Sequence, residues 1–321
     1  MHLDPEIAAG LAAVTASQNR SVTSIDSYED ILAARAQIAR TAELWNGKLD
    51  RSGVETELRD IPGPAGAPGL QLRIHRPKGG AANLHALYFI HGGGMVAGDF
   101  THVDGNLLPL VRDLGCIATS VTYRIAPEHP APAATEDCCA GLEFVMRNAA
   151  TLGMDASRIA LGGISGGGGI AATTAIMARD RGILPCLQYL IYPQLDERRH
   201  WSSAQADFPG WTRGMNEGAW RAVLGDRYET DRVTPYDAAS RATDLAGLPP
   251  AYIDAGAMEV FRDPVIDYAA RLLAAGVQTE LHIWPGACHG FDLFAPNAAI
   301  SRMAVAARRG ALRRAWGLPP A

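Results

Sequence analysis

Ser165 stands among six glycines in RIALGGISGGGGIA (158–171), the one side chain of that stretch that carries an oxygen. Gly163-Ile164-Ser165-Gly166-Gly167 has the spacing G-x-S-x-G of a nucleophile elbow, in which a strand turns sharply into a helix and lifts a serine hydroxyl clear of both. Small neighbours let the chain and the helix pass closely. The helix N-terminus then offers unpaired N–H groups to an oxyanion forming beside the serine. The chemistry such a residue can do is attack on a carbonyl. Gly166, Gly168 and Ala171 also read as G-x-G-x-x-A, the turn that cradles a dinucleotide pyrophosphate. That motif needs an acid ~20 residues on. Here the next strand ends at Asp196, about thirty residues past the turn, which disfavours it. A flexible linker is excluded, because RIALGG reads as a strand and IAATTAIMARDRG as a buried, alanine-rich helix.

A nucleophilic serine needs a base, an orienting acid and oxyanion donors. His289 lies in GACHGF, where Gly286 and Gly290 leave a loop room to present an imidazole. Three acids follow or lie within the strand PAYIDAG: Asp254, Glu259 and Asp263. Asp254 falls inside the strand. Asp263 immediately precedes Pro264, so helix capping explains it. Glu259 sits in the loop just past the strand and is preferred, as the group that would hold the His289 tautomer and stabilise the imidazolium. The strand HALYFI runs into His91-Gly92-Gly93-Gly94, a loop of the type whose main-chain N–H groups face a nucleophile, matched by the N–H of Gly166. Each such donor contributes roughly 3–4 kcal/mol of transition-state stabilisation.

These residues must be positioned by regular elements. Strands are expected at 70–77, 85–90, 116–123, 158–163, 187–193, 250–256 and 279–285, and helices at 103–114, 132–150, 167–181, 264–275 and 297–316. Apolar strands alternating with helices predict an α/β fold: a mostly parallel central sheet with helices on both faces. Residues 1–48 read as a separate helical region, with Ile31, Ile38 and Trp45 seven apart and Ala34, Thr41 and Ala42 on the same face. The proline- and glycine-rich 61–69 follows. Residues 196–225, with Trp201, Trp211 and Trp220, break the strand rhythm and predict an insertion over the sheet's C-terminal edge.

Composition narrows the function. The net charge of −5 and pI near 6.0 do not suit nucleic-acid binding, and Arg308, Arg309, Arg313 and Arg314 are expected on a solvated face near a helix C-terminus. Five cysteines without C-x-x-C, and histidines without H-E-x-x-H, argue against disulfides and metal and fit a reducing compartment. MHLDPEIAAG lacks the pattern of a signal peptide and no run is long enough for a membrane span, so a cytoplasmic location is expected.

The chain resembles the hormone-sensitive lipase family of α/β-hydrolases (bacterial family IV carboxylesterases). The resemblance is carried by HGGG at 91–94, YRIAPEHPAPAATED at 123–137, GISGG at 163–167, AMEVFRD at 257–263 and WPGACHGF at 284–291, over about residues 70–295. It implies an α/β-hydrolase fold with Ser165 as nucleophile, His289 as base and oxyanion donors at Gly93, Gly94 and Gly166, with no metal or organic cofactor. The family's usual spacing of thirty residues between acid and histidine selects Glu259 over Asp263. It also implies a helical cap, built from residues 1–48 and the 196–225 insertion, on a catalytic domain spanning 49–321. The implied substrates are small-molecule esters of short to medium acyl chain, and homodimers are common in the family. Alternatives are a deacetylase or amidase with the same triad, and a non-catalytic small-molecule binder, against which the retained Ser165, Glu259 and His289 argue. The chain departs from the family in carrying Ile164 and Gly166 where Asp and Ala are usual. Tyr123, Arg124 and Glu128 resemble a structural loop with an Arg124–Glu128 pair, and His91 is expected to shape its loop.

Overall fold

The computed structural model describes residues 2–16, 22–80 and 82–319. Among them a single sheet holds eight strands: β1 (Val54–Ile61), β2 (Leu70–Pro77), β3 (Leu84–Ile90), β4 (Ile117–Val121), β5 (Met154–Ile164), β6 (Gln188–Ile191), β7 (Ala251–Met258) and β8 (Thr279–Cys288). Their order is β1-β2-β4-β3-β5-β6-β7-β8. The pairs β1/β2 and β2/β4 are antiparallel, and every neighbouring pair from β4 to β8 is parallel. The sheet is therefore mostly parallel, as its apolar strands predict. Sequence reasoning did not find β1. Its VETELRDI is an edge strand buried only at Val54 and Ile61, with charges between them that mask the alternation.

The helices are α1 (Pro5–Ala16), α2 (Tyr28–Asn46), α3 (Asp104–Leu114), α4 (Ala133–Arg147), α5 (Gly166–Asp180), α6 (Arg213–Leu224), α7 (Arg262–Ala274), α8 (Phe291–Phe294) and α9 (Ala299–Ala315). Adjacent residues of β3 show how the sheet is sandwiched. The Tyr88 hydroxyl donates to the Cys138 carbonyl of α4. Phe89 instead faces a cavity shared with Pro109 of α3 and Val305 of α9. Successive side chains of a strand point to opposite faces, so helices cover both. α5 is buried from Gly166 to Ala178, which explains its nearly uncharged sequence. α2 starts from a capping box in which Ser27 and Asp30 satisfy each other's main-chain N–H groups, and it buries Ile31, Ala34 and Ala42. Among the described residues no helix is long and apolar enough to cross a membrane. No group of three or more His, Cys, Asp or Glu among them could hold a metal ion.

Two expectations about arginines are corrected. Arg308 is 3% exposed and bonds Asp254 of β7, Nε to Oδ2 at 2.7 Å, and also Asp292 of α8. It shares a helix stripe with the buried Ala304 and Leu312, four residues either side, so its charge is carried inward to two buried carboxylates. Arg309 and Arg314 pair with Asp113 and Glu280. Nor does Arg124 pair with Glu128. Its guanidinium forks onto the buried Asp137 at 2.7 and 2.9 Å, while Glu128 faces Arg35 of α2 at 2.6 Å.

Candidate active site

Ser165, Glu259 and His289 each directly follow the last residue of a strand, β5, β7 and β8 respectively. Those strands run parallel, so the three residues emerge at the same edge of the sheet, where open α/β sheets carry their sites. Ser165 Oγ lies 2.9 Å from His289 Nε2, and His289 Nδ1 lies 2.6 Å from Glu259 Oε2. An ionised carboxylate can only accept, so the Nδ1 proton points at Glu259 and Nε2 is left to accept from the serine hydroxyl. Glu259 is wholly buried and its Oε1 accepts from the Gly256 N–H at 2.5 Å. The imidazole is walled by aromatic rings, with Tyr192 and Phe261 meeting it edge-on at 4.7 and 5.0 Å between centroids.

The elbow has the geometry its glycines anticipate. Ser165 takes φ 59° and ψ −125°, and its main chain is fixed on both sides by Ser165 N–H to the Ile191 carbonyl and Gln194 N–H to the Ser165 carbonyl. A Cβ at Gly163 would fall 2.1 Å from the Gly167 carbonyl oxygen, so no side chain fits where strand and helix cross. The 91–98 loop lies against this turn: the Cβ position of Gly166 is 2.9 Å from Gly94 N and 2.7 Å from Met95 N. Gly93 and Gly94 both have positive φ, at 120° and 61°. His91 stacks on Tyr123 at 4.2 Å, and burial lowers its pKa from 6.5 to about 4, so it stays neutral.

Ser165 and His289 open into a cavity of about 230 Å³ lined mainly by apolar groups. α2 supplies Ile38, Thr41, Ala42 and Trp45, and the 210–215 segment supplies Trp211 and Met215. A groove of about 590 Å³ along α9 is larger but contains neither catalytic candidate. The other acids lie elsewhere. Asp254 is taken up by Arg308. Asp263 is not a helix N-cap: α7 begins one residue before it, and its carboxylate accepts from the Ser202 hydroxyl at 2.6 Å and the Ser203 N–H at 2.8 Å.

A family model described as the alpha/beta hydrolase fold matches residues 87–293. The chain belongs to the α/β-hydrolase family. Among curated relatives, the hydrolase is 34% identical to the carboxylic ester hydrolase LipN of Mycobacterium tuberculosis, over 89% of this chain and 78% of LipN. It is 36% identical to carboxylesterase NlhH of the same species, over 78% of this chain and 80% of that one. Among solved structures, a bacterial heroin esterase superposes with a TM-score of 0.91 at 38% identity, covering 98% of both chains. Esterase LipW from Mycobacterium marinum superposes at 0.85 and 34% identity, over 98% of this chain and 96% of that one. The resemblance to hormone-sensitive lipase-type esterases stands.

Sequence reasoning missed Tyr192, which shapes the hydrolase site. Tyr192, at φ 32°, packs on His289 and donates its hydroxyl to Asp292, yet nothing in LIYPQLD marks it out. Trp211 lies over Gly94, whose Cβ would meet the indole at 2.5 Å. It belongs to the tryptophan-rich 196–225 segment, for which an insertion over the sheet's C-terminal edge was expected. The helical face marked by the seven-residue recurrence of Ile38 and Trp45 is half-buried in α2 and lines the cavity.

Proposed function

We propose that the protein hydrolyses short- to medium-chain carboxylic esters through an acyl-enzyme on Ser165. That it is a carboxylic ester hydrolase follows from its family and its relatives. The observation that carries the finer reading is the chain of hydrogen bonds Ser165–His289–Glu259, held at the mouth of an apolar cavity beside the glycine loop. In this reading Ser165 Oγ attacks the ester carbonyl as its proton passes to His289 Nε2. The oxyanion is met by main-chain N–H groups of Gly93, Gly94 and Gly166, and the proton on Nε2 then goes to the leaving alcohol. Water, deprotonated by the same imidazole, releases the acid. Glu259 keeps the imidazole in the required tautomer and balances the imidazolium without accepting its proton. Helices α1 and α2 with residues 196–225 act as a cap whose inner face sets the acyl length. The cavity's apolar lining and modest volume favour uncharged, compact acyl groups.

A fluorophosphonate should label Ser165, and Ser165→Ala should abolish labelling and lower kcat roughly 10⁴- to 10⁶-fold. Full labelling of the alanine variant would move the nucleophile elsewhere.

A further inference from the structure

The glycine loop is fastened at three carbonyls. The His91 carbonyl accepts from the Tyr123 hydroxyl at 2.9 Å, and the Met95 carbonyl from the Ala126 N–H at 3.0 Å. The third, on Val96, accepts from Arg35 Nε at 2.7 Å. The first two donors belong to the segment that follows β4, but Arg35 belongs to α2. Its Nη1 and Nη2 fork onto Glu128 at 2.7 and 2.6 Å, and Nη2 also reaches the Ala126 carbonyl at 3.0 Å. The Tyr28 hydroxyl, also on α2, donates to the same Glu128 at 2.7 Å. Arg35 and Tyr28 together hold the Glu128 carboxyl at about 2, so this contact is charged throughout the working pH range.

The loop needs such fastening. Gly93, Gly94 and Met95 all have positive φ, and for Met95, at 66°, that conformation is strained. Within the turn the Val96 and Ala97 N–H groups both donate to the Gly93 carbonyl, and His91 Nδ1 meets the Gly92 carbonyl at 2.9 Å. A strained turn persists when its surroundings hold it, and here one of the holding groups rides on a helix that also lines the cavity.

We propose that Arg35 is a positioning residue for the oxyanion donors, tying the 91–98 loop to α2 and to Glu128 so that the donors are set only while α2 is seated. This rests on the esterase reading above. Arg35 touches no reacting atom; it acts through the Val96 carbonyl on Gly93 and Gly94. A planar guanidinium is required because it must serve three acceptors in fixed directions, which an ammonium cannot.

The test compares wild type with Arg35→Met, Arg35→Lys, Arg35→Gly and Glu128→Gln on p-nitrophenyl butyrate, together with inhibition by an aryl trifluoromethyl ketone, which forms a tetrahedral oxyanion adduct. A misplaced oxyanion site lowers kcat while leaving KM nearly unchanged. For Arg35→Met the expected loss in kcat is roughly 10- to 100-fold, with ketone affinity falling by a similar factor. Arg35→Lys should recover little of this, and Glu128→Gln should lose less because its amide oxygen still accepts. Millimolar guanidinium should restore part of the activity of Arg35→Gly, which also separates local misplacement from misfolding. If Arg35→Met instead raises KM at unchanged kcat, or leaves ketone affinity intact, Arg35 only anchors α2 and the proposal falls. A wild-type protein that hydrolyses no ester and takes no fluorophosphonate at Ser165 would defeat the underlying esterase reading, an outcome separate from any variant effect.

Discussion

Glu259 and Asp263 are four residues apart and chemically alike, yet their surroundings divide their roles. Glu259 is excluded from water and spends one oxygen on the Gly256 N–H and the other on His289. Asp263 is partly exposed and binds Ser202, Ser203 and Arg262. Glu259→Gln should therefore lower kcat by about 10⁴-fold, because an amide permits the wrong imidazole tautomer. Asp263→Asn should cost far less, since it loosens only the 202–203 segment. Measuring kcat for both variants on one ester decides it, and the reverse ranking would transfer the acid role to Asp263. Cys288, beside His289, is a bystander: it is buried and desolvation pushes its thiol up to about 12. Ile164, the residue before Ser165, forms part of the apolar cavity wall.

Two helices have functions beyond covering the sheet. α9 is bolted to β7 and α8 by Arg308, whose guanidinium also lies over the Tyr192 ring at 5.4 Å. Removing it strands Asp254 and Asp292 in the interior. Arg308→Met is expected to destabilise the protein by about 3–5 kcal/mol, read as a lower urea midpoint. An unchanged midpoint would mean that water enters to solvate the carboxylates. α2 lines the cavity with Ile38, Ala42 and Trp45. An indole at Ala42 would fill much of that space, so Ala42→Trp should retain turnover of p-nitrophenyl acetate while losing that of the octanoate. Equal losses on both would show that α2 does not set the acyl length.

Across the molecule, acid should be the destabilising direction. His91 is buried neutral, its pKa lowered to about 4 by desolvation, while in the unfolded chain it titrates near 6.5. The unfolded state thus binds more protons between those values, and stability falls as pH drops through that window. Asp104 is buried between Arg73, Arg51 and His75. Hydrogen bonds from His75 and Arg73 outweigh its desolvation and depress its pKa below the ordinary 3.8. Its contribution is present above that ordinary value and is lost as pH falls through the folded one. The melting temperature should decline from about pH 6.5 and more steeply below the usual carboxylate range. His91→Gln should flatten the upper part of that decline; an unchanged slope would assign it to other groups.

The parts legible in the sequence are those governed by short-range rules. Strand period and apolar runs gave β2 to β8 their approximate places, and the crowded glycines of 162–169 had few structural uses besides a sharp elbow. Charged β1 was obscured because an edge strand buries too little to impose alternation. Pairings across the fold were not legible: Arg35 meets Glu128 across 93 residues and Arg308 meets Asp254 across 54. Neither follows from local spacing, and the nearer candidate, Arg124 for Glu128, was wrong because Asp137 lies closer in space. By itself the sequence determined an alternating α/β chain, the elbow serine and the order in which acid and histidine follow it, since periodicity and turn chemistry act over a few residues. Tertiary structure alone decided which carboxylates Arg35, Arg124 and Arg308 meet, what walls the cavity and what holds the glycine loop, because those depend on how distant elements dock.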